Sequence, residues 1–441
     1  MPDDGPMEAA RTITERLQKA GHRAYIAGGA VRDHLRGVPP HDVDVATSAP
    51  PEEVAALFAD SRFVGAAFGV VLVRVRGEPI EVATFRAEGP YLDGRRPSAV
   101  RFATEEEDVR RRDFTVNGLL LDPTTGELRD HVGGTRDLEA GILRAIGDPE
   151  ARFREDHLRL LRAARFAAQL GFEVEARTLS AVKELAPLAA GVAAERTREE
   201  LTRLLTGPDP VRGLELLHKT GLLRAILPEV AAMDGVPQPP EYHPEGDVLT
   251  HTILLFRHLE NASPELAIGA LLHDVGKPPT FVSADDRIRF PEHTRVGAEQ
   301  ADAICRRLRF SNDSREHIVA LVANHMRFKD VQEMRTSTLK RFLGLPRFDD
   351  HLELHRADCL ASHGLLDNWE FARARREELG EERIHPPPLV TGHDLMTLGY
   401  EEGPALGHAL RRLEELQLEG VIRTKEEALA RARADLVNET N

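Results

Sequence analysis

Residues 25–49 read YIAGGAVRDHLRGVPPHDVDVATSA, and their pattern decides the fold of the first part of the chain. An apolar run closes on Gly28 and Gly29, and a helix-type stretch opens near Ala30. Gly37 and Pro39-Pro40 break that stretch, and Asp42 and Asp44 then alternate with valines. Alternation with a period of two predicts a strand. Residues two apart on a strand share a face, so both carboxylates point the same way. Two hard oxygen ligands on one face suit Mg2+, which favours a few carboxylates plus phosphate oxygens. A pair of such ions activates an attacking hydroxyl and stabilises a departing oxygen. Gly28 and Gly29 let the backbone approach a phosphate, and a helix N-terminus favours an anion. Arg32 adds a fork matched to phosphate oxygens. The stretch has neither the third glycine of a dinucleotide-binding turn nor the Gly-Lys-Ser/Thr of a P-loop. Each half alone has a plain reading, as a solvated strand edge or an ordinary turn. Together, at this spacing, they point to a site for a nucleoside triphosphate and two Mg2+ ions.

Outward from this stretch, GVVLVRVRG (69–77) and PIEVATFR (79–86) read as further strands, and PEEVAALFAD (51–60) as a helix opened by proline and acids. From about residue 150 the pattern is helical, as in REDHLRLLRAARFAAQL (154–170) and RTREELTRLLTG (196–207). Proline-rich breaks at 235–247 and 384–394 mark boundaries. The expected architecture is α+β and multidomain, a small mixed sheet with helices followed by all-α modules. The expected divisions are a head at 1–140, a helical neck at 141–210, a helical body with its linker at 211–245, a histidine-rich module at 246–365 and a C-terminal helical segment at 366–441.

With 41% hydrophobic and 30% charged residues, the 441-residue chain has an ordinary globular composition. No stretch reads as a membrane span or a signal peptide. Cys305 and Cys359 are expected as unpaired thiols in a reducing cytoplasm. A net charge of −15 argues against indiscriminate nucleic-acid binding. Residues 295–347 nevertheless carry eleven Lys/Arg against six Asp/Glu, either an ion-paired helical face or a local basic surface.

Two further constellations stand out. Asp156, Arg159, Arg162 and Arg165 step by three along a predicted helix, so consecutive members are neighbours. Surface ion pairing is one reading. The other is base selection. Cytosine and adenine both present an amino donor beside a ring-nitrogen acceptor, whereas guanine and uracil place a carbonyl where that amino group would be. An Asp acceptor beside an Arg donor admits C and A and leaves the others unpaired. The second constellation is His273-Asp274 in ALLHDVGKP (270–278), with His251 upstream and His293, His325 and Asp358 downstream, all in predicted helices or at their ends. Neutral imidazoles with carboxylates suit a transition-metal pair, or Mn2+ or Mg2+. His41-Asp42 and His393-Asp394 lack this context.

GGAVRD, DVDVAT, IEVATFR, RRDFTVNG and REDHLRLLRAARFAAQLGF follow one another between residues 28 and 172. In this order they resemble the bacterial class of tRNA nucleotidyltransferases and poly(A) polymerases, over roughly residues 20–210. The resemblance implies that Asp42 and Asp44 bind the catalytic metals, and that Gly29, Arg32 and Arg112 meet the nucleotide, beside the Gly28 of the same turn. It implies that Asp156 and Arg159 read the base, with Arg162 and Arg165 nearby on nucleotide or phosphate. Glu81 is either an auxiliary acid or a strand-surface residue. The segment 84–114 reads as a mobile loop close to the full length of enzymes that add the terminal A. The order His, His-Asp, His, His, Asp resembles the HD phosphohydrolase superfamily. That implies action on RNA or nucleotide phosphate esters, including 2′,3′-cyclic phosphates, with the metal left open. A bundle that only helps to hold tRNA is the other reading.

The implied activity is template-independent addition of C and A, from CTP and ATP, to the 3′ end of tRNA with release of pyrophosphate. The basic segment 295–347 would meet the acceptor arm. The alternatives are an enzyme adding only A or only CC, a poly(A) polymerase, or an HD phosphohydrolase with a nucleotide-binding head.

Overall fold

A computed structural model of the chain describes residues 5–40, 42–64, 69–89, 100–241, 243–284 and 287–440. The chain divides into two compact units, Met1–Ala231 and Ala232–Asn441. The first opens with α1 (Gly5–Lys19), β1 (Ala24–Ala27), α2 (Gly29–Leu35), β2 (Asp44–Thr47) and α3 (Pro51–Leu57). β3 (Ser61–Phe63), β4 (Val70–Val75), β5 (Glu78–Thr84), β6 (Arg86–Glu88), β7 (Val100–Phe102) and α4 (Glu105–Arg110) follow. β8 (Leu119–Leu121) and β9 (Leu128–Asp130) complete a seven-stranded sheet of order β3-β4-β5-β2-β1-β8-β9. The β2–β5 pair is parallel and the rest antiparallel. The mixed sheet expected of the head is thus present.

Period-two alternation decides its faces. Val71, Val73, Ile80 and Val82 turn inward with Ile26 and Val45, and Ile13 and Leu17 of α1 close over them. Burying each such side chain stabilises the fold by about 1.5–3 kcal/mol. On the other face Tyr25, Ala27, Ala46, Phe85, Val109 and Leu120 form a smaller cluster. Asp44 and Glu81 share that face, at its exposed end. Within the segment 84–114, expected as a loop, Arg86–Glu88 and Val100–Phe102 pair as β6 and β7 and Glu105–Arg110 forms α4, while residues 90–99 lie outside the described residues.

α5 (Gly134–Ala140), α6 (Pro149–Glu155) and α7 (Leu158–Leu170) lead into helices that run to Ala231. This part is not wholly helical, because Ile142–Leu143 pairs in parallel with Glu173–Val174. Asp156 does not belong to the arginine helix. Its backbone is extended (φ −137°, ψ 104°), ending α6, and α7 starts two residues later. Aspartate competes with helical backbone bonds and favours helix ends. Here its carboxylate accepts from the Leu158 N–H at 3.1 Å.

In the second unit, helices Val248–Leu255, Pro264–Leu272, His293–Arg307, Asn312–Asn324 and Phe348–Ala361 carry the histidine-rich module, interrupted by a hairpin of Val282–Ala284 and Arg287–Arg289. Gly276 is required there by close approach, since a Cβ would lie 2.1 Å from the His293 carbonyl oxygen. Helices Gly392–Thr397, Pro404–Leu418 and Lys425–Thr440 have their own core around Leu395, Leu406 and Leu413. Cys305 and Cys359 are buried and unpaired. Among the described residues no helix is long and apolar enough to cross a membrane.

Candidate active site and metal centre

Parallel pairing of β2 with β5 sets Asp44 opposite Glu81, with Asp42 just before the strand. The Asp44 carboxyl is pushed up to about 6, first by desolvation, then by the negative charges of Glu81 and Asp42, with Arg112 opposing. Carboxylates that repel one another on an accessible face are a donor set that a divalent cation relieves. Gly28 has φ +73°, and a Cβ there would come within 3.0 Å of Arg112 Nη1. Arg112 is steadied by Asp108 at 3.1 Å and the Asn117 carbonyl at 3.4 Å. Strand end, glycine turn, guanidinium and carboxylates therefore converge.

Arg32 is buried and its fork is already engaged. Nε and Nη2 each lie 2.8 Å from the Asp33 carboxylate, and Nη1 lies 2.6 Å from Asn117 Oδ1. A Cβ on Gly29 would meet Arg32 Nη2 at 3.5 Å. Arg32, Arg162 and Arg165 surround the Phe166 ring at 5.4, 5.0 and 4.0 Å.

The arginines of α7 are stitched to neighbouring segments. Arg159 donates to the carbonyls of Arg152 and Arg111, both at 2.9 Å, and to Glu155 at 2.8 Å. Arg162 donates to Asp113 at 2.7 Å through Nε, and Arg165 to Glu200 at 2.5 Å. Burial alone would raise the Asp113 carboxyl, but Arg162, Asn117 and the Phe114 amide outweigh it and bring it to about 2. Asp156 faces a different partner, Arg196, at 3.1 and 2.9 Å.

In the second unit His251, His273, Asp274, His293, His325 and Asp358 converge. His251 Nε2 lies 3.0 Å from Asp358 Oδ1, and His273 Nε2 lies 3.2 Å from Asp274 Oδ2. His293 and His325 present Nε2 to Asp274 Oδ1 at 3.8 and 3.6 Å. The opposite ring nitrogens are spoken for. Nδ1 of His273, His293 and His325 meets the backbone carbonyls of Ala270, Phe290 and Val322 at 2.8, 3.0 and 2.8 Å, and Nδ1 of His251 meets Glu245 at 2.6 Å. A donated Nδ1–H fixes the tautomer that leaves Nε2 as a metal ligand. The Nε2 atoms of His251 and His273 are buried, beside the carboxylates of Asp358 and Asp274. Burial lowers His293 to about 4, which keeps that ring neutral. Burial opposes charge at His251, but Asp358 and Glu245 outweigh it and raise the ring to about 9. The donor set fits divalent metal ions.

Residues 24–144 match the poly A polymerase head domain. Residues 171–233 match the probable RNA and SrmB-binding site of polymerase A, and residues 247–361 match the HD domain. The CCA-adding enzyme of Lactiplantibacillus plantarum is 46% identical over 230 residues, which are 52% of this chain and 56% of that protein. The CCA-adding enzyme of Geobacillus stearothermophilus is 44% identical over 230 residues, with the same two shares. The match thus spans little more than half the length of these curated relatives. The crystal structure of the Bacillus stearothermophilus CCA-adding enzyme in complex with CTP matches 98% of this chain and 99% of that one, with a TM-score of 0.76 and 28% identity.

Several residues at these sites escape a reading of the motifs. Arg196 and Glu200 come from a helix 40 and 35 residues beyond their partners. Glu245 has a detectable signal, an acid six residues before His251, in a proline-rich stretch that reads as linker. Lys277, bonded to Asp274 at 2.6 Å and Gln238 at 2.7 Å, lies within the quoted His-Asp motif. Much of the basic charge of 295–347 is ion-paired, as in Arg295 with Glu292 and Glu299, Arg306 with Asp302, Arg341 with Glu414, and Arg347 with Asp313.

Proposed function

We propose that the chain is a template-independent nucleotidyltransferase that adds C and A, from CTP and ATP, to the 3′ end of tRNA in the cytoplasm. The observation that carries this reading is the carboxylate face of Asp44 and Glu81, with Asp42 beside it and Arg112 over Gly28. Similarity to a CTP-bound CCA-adding enzyme along nearly the whole chain supports it. The work divides among a head at 1–140, a base-reading neck at 141–210, a body and linker at 211–245, an HD domain at 246–365 and a helical tail at 366–441.

The 3′-hydroxyl of the tRNA attacks the α-phosphate of the nucleotide, and pyrophosphate leaves. Asp42 and Asp44 would hold two Mg2+ ions, which when bound would supply charge neutralisation at the attacking and departing oxygens. Glu81 adds a third carboxylate beside them and raises their affinity for the cations. The backbone at Gly28 and Gly29 gives the triphosphate room to approach, and Arg112 meets its negative charge. Arg32, tied to Asp33 and Asn117, braces this turn from beneath. Asp156 accepts from the amino group of C or A and Arg159 donates to the adjacent ring nitrogen. Arg162 and Arg165 hold this surface against the head and against Glu200.

The HD module is proposed as a phosphohydrolase acting on RNA or nucleotide phosphate esters. Its six residues would hold divalent ions, which when bound supply Lewis acidity toward a phosphate ester.

The test uses the purified chain with Mg2+ and three tRNA transcripts, one lacking CCA, one ending in C and one ending in CC. CTP and ATP are supplied separately and together, and product length is read on a gel. Growth of every transcript to a complete CCA is expected. Extension of only the CC-ended transcript, by one A, would restrict the activity to A addition, and no extension at all would overturn the reading.

A further inference from the structure

Asp156 does not stand free. Arg196, from the helix Ala194–Leu205, lays its fork across the carboxylate, Nη1 on Oδ1 at 3.1 Å and Nη2 on Oδ2 at 2.9 Å. The Leu158 N–H takes a second position on Oδ1 at 3.1 Å. A carboxylate offers about four acceptor positions. Oδ1 is therefore filled, and one position remains on Oδ2. The carboxylate is still reachable, with a side chain 17% exposed. Arg159, by contrast, is fixed from behind by the carbonyls of Arg152 and Arg111 and by Glu155, with N–H groups to spare among its five.

We propose that Arg196 is a specificity-determining positioning residue, which leaves Asp156 a single open acceptor position matched to one amino N–H of cytosine or adenine. This rests on the reading of Asp156 and Arg159 as the base-reading pair. The chemistry that the fork excludes is definite. Guanine presents two adjacent donors, its ring N–H and its amino group, and these match both oxygens of an unobstructed carboxylate. Its neighbouring carbonyl would then accept from Arg159. An Asp156 freed of Arg196 is thus a good partner for guanine. Uracil has one ring N–H and gains much less. Arg196 occupies the two-point approach that guanine needs.

The test compares the full-length wild type with Arg196→Ala and Arg196→Lys on tRNA transcripts lacking one or two terminal nucleotides. Each of CTP, ATP, GTP and UTP is supplied alone, and kcat/KM is measured beside the Tm of each protein. Arg196→Ala is expected to raise GTP relative to CTP by at least tenfold while UTP rises far less. Arg196→Lys, which keeps the charge but offers a point contact instead of a fork, is expected to fall between. An unchanged GTP-to-CTP ratio in a folded Arg196→Ala would overturn the inference, and an equal gain for UTP would show a merely loosened pocket and overturn it too. If Arg196→Ala does not fold, Arg196→Lys decides by the same ratio. A wild type that uses neither CTP nor ATP would defeat the nucleotidyltransferase reading itself, a result distinct from wild-type activity with unaltered selectivity in the variants.

Discussion

Asp44 and Glu81 are register partners on two parallel strands, and their mutual repulsion helps to lift the Asp44 carboxyl to about 6. The metal-free head therefore stores unfavourable charge at neutral pH. A raised carboxyl favours the folded state at low pH, and that contribution is lost as pH rises through about 6. Asp44→Asn is expected to raise the Tm of the metal-free chain at pH 7 by about 1–3 °C and to leave it little changed at pH 4. The same variant should abolish nucleotide addition. Thermal melts at the two pH values and the tRNA extension assay check both outcomes, and a lower Tm at pH 7 would contradict the repulsion.

Asp42→Ala and Asp44→Ala are expected to stop the proposed nucleotide addition and leave the proposed HD phosphohydrolase activity intact. Ring opening of a 2′,3′-cyclic nucleotide to its monophosphate, measured beside tRNA extension, reads both. Loss of both activities would show that the modules are not independent.

Glu245 holds the Nδ1 of His251 at 2.6 Å. Glu245→Gln should weaken metal binding at the HD site by about 10–100-fold, the usual effect of losing an outer carboxylate behind a ligating histidine. Isothermal titration of the metal-stripped chain with Mn2+ measures it, and tRNA extension should be unaffected.

Asp113 and Arg162 join the Arg-Arg-Asp segment to α7 through a mostly buried ion pair. Asp113→Ala leaves the guanidinium without its main partner and should destabilise the chain by about 3 kcal/mol, the low end for breaking such a pair. Asp113→Ala with Arg162→Ala should cost less than the sum of the single changes. Because Asp113 is lowered to about 2, its contribution is present above the usual carboxylate range and lost as pH falls toward 2. Urea melts of the three variants test the coupling.

Gly276→Ala would drive a methyl group into the His293 carbonyl oxygen. Backbone on both sides leaves no flexible atom to yield, so a loss of about 1–3 kcal/mol is expected, with weaker Mn2+ binding because His293 moves. A melt and a metal titration check it, and a silent substitution would mean that the turn opens without cost.

Much of the molecule was legible in short-range pattern. Alternation placed Val71, Val73, Ile80 and Val82 on one face and the aspartates on the other, and the glycine pair marked the turn between strand and helix. The histidine order named residues that the fold brings together. Asp156 was misplaced for a local reason, because a spacing of three continues the helix pattern while aspartate at that position ends one helix and starts the next.

What the sequence by itself determined is therefore what repeats over a few residues, namely the strand and helix faces, the α+β architecture and the types of ligand available. The tertiary structure alone decided which distant groups meet them: Glu81 beside Asp44, Arg196 across Asp156, Asp113 on Arg162 and Glu245 behind His251. Periodicity is a property of neighbouring backbone dihedrals. These pairings are set by strand register and helix packing between segments far apart along the chain, and no local pattern carries that information.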